Sequence, residues 1–497
     1  MTDSALGRVL LTLRGVQWIL GTKGDPYALL LRAAGDDRAE LGRRVRERGP
    51  LYWSSAEAWV TADPDVVAAA LADRRLTPRP PDDGAPPGGP AEEPAPWDVP
   101  PLREALPLAG LPVALDREEY ERLRDWAAPV LGEPALRGRH AAAARAYRHR
   151  ASALGERFDL MDDLIRPATV DAGRVLLGVP EHRAARFAEL CGALAGVLDA
   201  TLCPPRLDTA RRYRAALPEL RALLTEPNGA PGTSGAWGTP GAPGTPSTSG
   251  ESGTPGTSRV PGASRTSVGS GTHRARDAHD AHDAQGASRA AGVGAGARAG
   301  LPRCLSATPA ADGPPSPDDV LTVCALLALV GIDVATTLVG NAAALLLDHP
   351  EQWRALCADP GLAPAAVAET LRHTPPVRLH RLYARQDLDL AGIRVAADEE
   401  VVLLTEAAQR DPRRHHDPER FDLHRPAHER HPLPGDGHAV DALVGPAARL
   451  AAEAALRVLA AEVPGLTRTG EVLRRLRSPI TGGVFRFPVA RQGNVRR

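Results

Sequence analysis

Apolar residues recur at helical spacing over residues 28–45, and polar ones fill the positions between them. Residues 51–53 and 59–61 carry strand-forming side chains on either side of a polar turn, which predicts a short hairpin. A further helix is predicted at 64–71, opening on a proline, and longer helical periods run over 118–131 and 141–158. Between 320 and 347 nearly every position is apolar, a length that could cross a bilayer. Asp333 and Asn341 interrupt that stretch, its flanks are acidic (Asp318, Asp319, Asp348), and no arginine anchors or aromatic belt bound it. It therefore reads as a buried central helix, with Ser316 as N-cap and Pro317 as first helical residue. Short strand patterns follow at 388–390, 393–395 and 401–404, and an alanine-rich helix lies beyond 445. The pattern predicts a mainly α chain with small β-sheets, an α+β class.

Composition divides the chain into three parts. Residues 226–316 repeat glycine, threonine, proline and serine, then Asp-Ala-His around His279 and His282. Such a segment buries too little apolar surface to offset the entropy of ordering, so it is expected to be a disordered insertion. It separates 1–225 from 317–497, whose roughly 400 residues suffice for one large domain. Acidic and basic residues nearly cancel, at a net charge of −1, so neither nucleic acid nor an anionic membrane is implied as a partner. Five scattered cysteines without metal-ligand spacing fit a reduced, cytoplasmic protein. Arg8 and Arg14 break any apolar signal-peptide core.

The chemistry-bearing residues come in a fixed order. Gly331-Ile332-Asp333 places an acid in the central helix. Glu369-Thr370-Leu371-Arg372 follows on a helix ended by Pro375 and Pro376, and then comes Arg381. Ala407-Ala408-Gln409-Arg410-Asp411-Pro412 precedes Pro418-Glu419-Arg420-Phe421-Asp422, and Gly435-Asp436-Gly437-His438 leads into Gly445-Pro446-Ala447-Ala448-Arg449-Leu450. A lone Glu-x-x-Arg occurs on many solvated helices. The ordered set resembles bacterial cytochrome P-450 sequences over nearly the whole chain outside the insertion. The resemblance implies the cytochrome P-450 fold as a single large domain, with Glu369, Arg372 and a partner at Arg420 in a buried structural network.

The same resemblance exposes three departures. The family holds haem iron through a cysteine thiolate shortly before the Ala-Arg-Leu helix. Counting back from Ala448-Arg449-Leu450 places that ligand at Ala442, or at Val440 when counted from His438 with a one-residue shift, and no cysteine follows Cys357. The acid-threonine pair of the central helix becomes Asp333 and Val334, and a valine relays no proton. Tyr120 stands where a histidine often meets a haem propionate, although Arg124 and Arg381 remain to meet an anion. No haem and no metal are therefore expected as cofactors. His415, His416, His424, His428, His431 and His438 fall among loop residues and read as surface histidines.

The N-terminus narrows the likeness. Arg14-Gly15-Val16-Gln17-Trp18, Gly24-Asp25-Pro26-Tyr27 and the ending around Phe487-Pro488-Val489 are similar to the haem-free P-450 homologues that accompany antibiotic glycosyltransferases of macrolide and anthracycline pathways. That likeness implies a non-catalytic protein that binds and activates a glycosyltransferase moving a nucleotide-linked deoxysugar to a polyketide, in a complex of two of each chain. Trp18 and Tyr27 are its candidate partner-binding residues, since exposed aromatics anchor interfaces. The competing reading is an enzyme of the P-450 fold with an atypical or absent haem ligand.

Overall fold

In the computed structural model of the chain, residues 2–80, 102–106, 115–225, 300–310, 315–429 and 439–491 are described. The central helix runs from Pro317 to Asp348. It starts at a capping box: the Ser316 hydroxyl accepts the N–H of Asp319, and the Asp319 carboxylate accepts the N–H of Ser316. A π-turn at Leu327–Gly331 interrupts it midway. Its apolar window is 89% buried, which marks a core helix, as the acidic flanks imply. The C-terminal helix Ala439–Glu462 packs on it and on His140–Ser152. Small alanine side chains at 448, 451, 452 and 455 allow that close approach.

A five-stranded sheet stands beside this helical body in the order 52–54, 58–61, 400–403, 380–384, 76–77. The predicted hairpin is present, with Tyr52 opposite Val60. Ala58–Thr61 then pairs in parallel with Glu400–Leu403, joining the two ends of the sequence. Leu388–Leu390 and Ile393–Val395 form their own hairpin.

Three boundaries differ from the sequence reading. The segment 28–45 is two helices, Pro26–Arg32 and Arg38–Glu47, because Ala33 turns left-handed at the first C-cap and Gly35 also takes positive φ. The helix expected to reach 158 stops at Ser152, and Arg157–Asp159 instead pairs with Pro488–Arg491. Residues 300–310, expected within the insertion, belong to the folded body: Leu301–Ser306 is helical, with Leu301 and Leu305 fully buried. Residues 226–299 lie outside the described residues.

His380 sits in the sheet at 6% exposure, and burial holds its imidazole down at about 4, from an ordinary 6.5. Between about pH 6.5 and 4 the unfolded chain binds a proton there that the folded chain refuses. Stability contributed by neutral His380 is complete above that window and falls with pH inside it, by about 1.4 kcal/mol per pH unit. Urea titrations at pH 7.0 and 5.5 are expected to show this loss. His380→Gln is expected to remove one histidine's share of it, leaving the share of His373, which burial and then Arg410 hold at about 3, and an unchanged slope in that variant would assign the loss elsewhere.

Candidate functional site

The helix Ala363–His373 places Glu369 and Arg372 three residues apart on one face, both fully buried. Arg372 donates from Nε and Nη2 to the two carboxylate oxygens of Glu369, at 3.0 and 2.8 Å. Its remaining donors reach the carbonyls of Pro418 (2.8 Å), Arg420 (3.1 Å) and Gln409 (3.3 Å). The second cation of the network is Arg425, not Arg420: Arg425 is 5% exposed and its Nε lies 3.1 Å from Glu369 Oε1. The Arg420 side chain is exposed, and only its backbone carbonyl takes part, accepting from both Arg372 and Arg425. Spacing in the sequence cannot make that choice, because the turn at 417–425 decides which arginine faces inward.

Ala442 lies within the helix Ala439–Glu462, so the position that resembles the ligand is helix backbone bearing a methyl group. His438 and the side chain of Val440 fall outside the described residues. All five cysteines lie elsewhere, at 191, 203, 304, 324 and 357. Val444 reaches Gly331 of the central helix: a Cβ built there would lie 3.6 Å from Val444 Cγ1. These residues do not fit a thiolate-held haem, since nothing at position 442 can donate a lone pair to iron.

The neighbouring positions are committed to other partners. Asp333 pairs with Arg475 at 3.1 Å and accepts the N–H of Gly196. Val334 is buried, and Thr336 returns its hydroxyl to the carbonyl of Ile332. Thr337 packs against Gly483, where an added Cβ would lie 2.9 Å from its Oγ1. Tyr120 is fully buried. Arg381 is held by Glu400 at 2.6 and 2.7 Å, and Arg124 pairs with Asp125. The cations expected to meet an anion are thus already matched.

Asp199 is the residue that pattern reading missed. Fully enclosed, it accepts from Ser478 Oγ and Thr481 Oγ1, both at 2.6 Å, and from the N–H groups of Ile480 and Thr481. Burial raises its carboxyl above the ordinary range despite those four donors. It ties the 195–203 loop to the C-terminal segment across some 280 positions of chain, and a single aspartate in a loop gives no sequence signal for that.

The remaining expectations divide. Tyr27 is 1% exposed, so it belongs to the core and leaves the partner surface, whereas Trp18 is 54% exposed. Its neighbours Leu29, Leu30 and Leu31 are buried with it, which is why an aromatic there packs inward. Of the histidines, His416, His424 and His428 are exposed as expected, but His415 is 8% exposed and buried. Among the described residues no cluster of His, Cys, Asp and Glu has metal-binding geometry. An apolar cavity of about 100 Å³ lies against the π-turn, between Ala142, Gly173, Leu327, Ala335 and Ala451.

The long buried helix, the Glu-x-x-Arg network and the flanking mixed sheet together define a cytochrome P450 fold. The structure of epothilone D-bound P450epoK shares that fold, with a TM-score of 0.66 at 20% identity, over 93% of this chain and 99% of that one. The Cytochrome P450 family model matches residues 361–439. Protein AknT of Streptomyces galilaeus is 38% identical, over 98% of this chain and 96% of its own length. Protein DesVIII of Streptomyces venezuelae is 33% identical over 99% and 94%. The chain belongs to the cytochrome P450 family and is related to AknT and DesVIII over nearly its whole length, as its motifs imply.

Proposed function

We propose that this chain is a haem-free, non-catalytic P450 homologue that binds and activates a glycosyltransferase, one that moves a deoxysugar from a nucleotide to a polyketide. The observation that carries the reading is the alanine at 442, set inside a continuous helix where the chemistry of the fold needs a thiolate. Asp333 tied to Arg475 supports it, because an acid so held is unavailable for proton delivery. The relatedness to AknT and DesVIII along the whole chain supports an auxiliary role. A partner raises activity by binding the competent conformation better than the incompetent one, and about 1.4 kcal/mol of difference shifts that equilibrium tenfold. The assembly holds two of each chain.

The partner face is the outer side of the first helix, Asp3–Thr22. Leu6 and Leu10 seat its inner side, where Gln17 donates to the carbonyl of Leu202 and Arg14 to that of Pro204. Leu11, Val16, Trp18 and Ile19 are left 69, 46, 54 and 61% exposed, and the Arg32 guanidinium lies 5.3 Å from the Trp18 ring centre. An aromatic anchor with apolar neighbours and arginines at its rim is the composition of an interface centre. The test is co-elution with the candidate transferase together with an absorbance spectrum. The expected result is a shared peak, no Soret band, and capture weakened at least about tenfold by Trp18→Ala at unchanged melting temperature. A Soret band from protein expressed with ample haem would overturn the haem-free reading. A transferase fully active alone would overturn the activator role.

A further inference from the structure

A cleft between the helix Arg38–Glu47 and the segment after the sheet is lined by Arg38, Arg46, Arg378, Arg410, Glu406 and Glu419. Its cavity is about 20 Å³, enough for a particle near the size of one water. Four guanidiniums face two carboxylates there, leaving two positive charges without a counter-charge in the lining. Glu406 is shared among three of them: Arg38 at 3.2 Å, Arg378 at 3.7 Å and Arg410 at 3.8 Å. Glu419 pairs with Arg410, at 3.1 Å, and its side chain is 57% exposed. Arg46 donates to the carbonyl of Ala407, and burial pushes its guanidinium down although the charges of Asp411 and Glu419 favour the cation.

Arg378 is the decisive member. Its side chain is 4% exposed, and its Nε is buried with no hydrogen-bond partner among the described residues. Nη2 reaches only the carbonyl of Gly482, at 3.3 Å. A buried guanidinium with an unused donor is costly unless an acceptor arrives. The titration of the cluster agrees in sign. Burial would raise the Glu406 carboxyl, yet Arg378, Arg38 and Arg410 hold it at about 2. Burial, with Arg38, Arg474 and Arg410 outweighing Glu406, pushes Arg378 down to about 9.

We infer that this cleft binds one small inorganic anion of halide size, held by Arg46 and Arg378 and joining the first sixty residues to the C-terminal half. The occupant is single and small because the cavity admits no tetrahedral oxyanion without displacing side chains. The test follows the melting temperature of the full chain while sodium chloride replaces sodium isethionate at constant ionic strength. The wild type is expected to gain stability along a saturating curve, as binding to the folded state alone requires. Glu419→Gln, which removes a competing charge from a half-exposed position, is expected to lower the chloride midpoint at least about threefold. Arg46→Gln is expected to raise it at least about tenfold. A melting temperature that ignores the identity of the anion overturns the inference, as does one chloride midpoint shared by all three proteins.

Discussion

Glu369→Ala is expected to destabilise the fold by ~3–5 kcal/mol, because it strands Arg372 as a buried cation without a counter-charge and leaves Arg425 only the half-buried Glu429, at 3.3 Å. Against a usual total of about 5–15 kcal/mol, that loss leaves a protein marginal at 37 °C. Urea unfolding reads it as a lower midpoint at unchanged slope. Arg425→Ala is expected to approach the same cost, since Arg425 also caps the carbonyls of His416, Asp417 and Arg420. Arg420→Ala, at an exposed position, is expected to stay within about 0.5 kcal/mol. If Arg420→Ala proves as damaging as Arg425→Ala, the assignment of the network is wrong.

Asp199→Ala is the second large effect. It removes the shared acceptor of two hydroxyls and two backbone N–H groups in a site with 4% exposure. Unsatisfied buried donors cost about 1–3 kcal/mol each, and Ser478 and Thr481 can partly satisfy one another at 2.8 Å. A net loss of ~3–4 kcal/mol is expected, with hydrogen exchange rising first at Ile480 and Thr481. Asp199→Asn keeps one acceptor oxygen and is expected to lose about half as much. Protection at 478–482 that survives Asp199→Ala would show that the segment is held by other contacts.

Much of the fold was legible because it rests on local rules. The capping box at Ser316, the proline-opened helix at Pro64 and the hairpin at 52–61 each follow from residue types a few positions apart. The overrun of the helix at 141–158 has the opposite origin. Phe158 suits either a helix or a strand, and its pairing with Val489 lies 331 positions away. The order of motifs carried the family, and the family relation carried the expectation of a thiolate position at 442.

The candidate site divides along the same line. Sequence established which groups are missing: no cysteine follows Cys357, and Val334 offers no hydroxyl. It also established that Glu369 and Arg372 share a helix face, since three residues is nearly one turn. Three matters were left to the folded chain: which arginine completes that pair, whether Trp18 or Tyr27 faces solvent, and what Asp199 and Arg378 touch. Each depends on segments far apart in the chain meeting at one place, and residue order carries no record of such meetings. Covalent absences and one-turn spacings are properties of the chain alone, whereas burial and charge pairing belong only to the packed molecule.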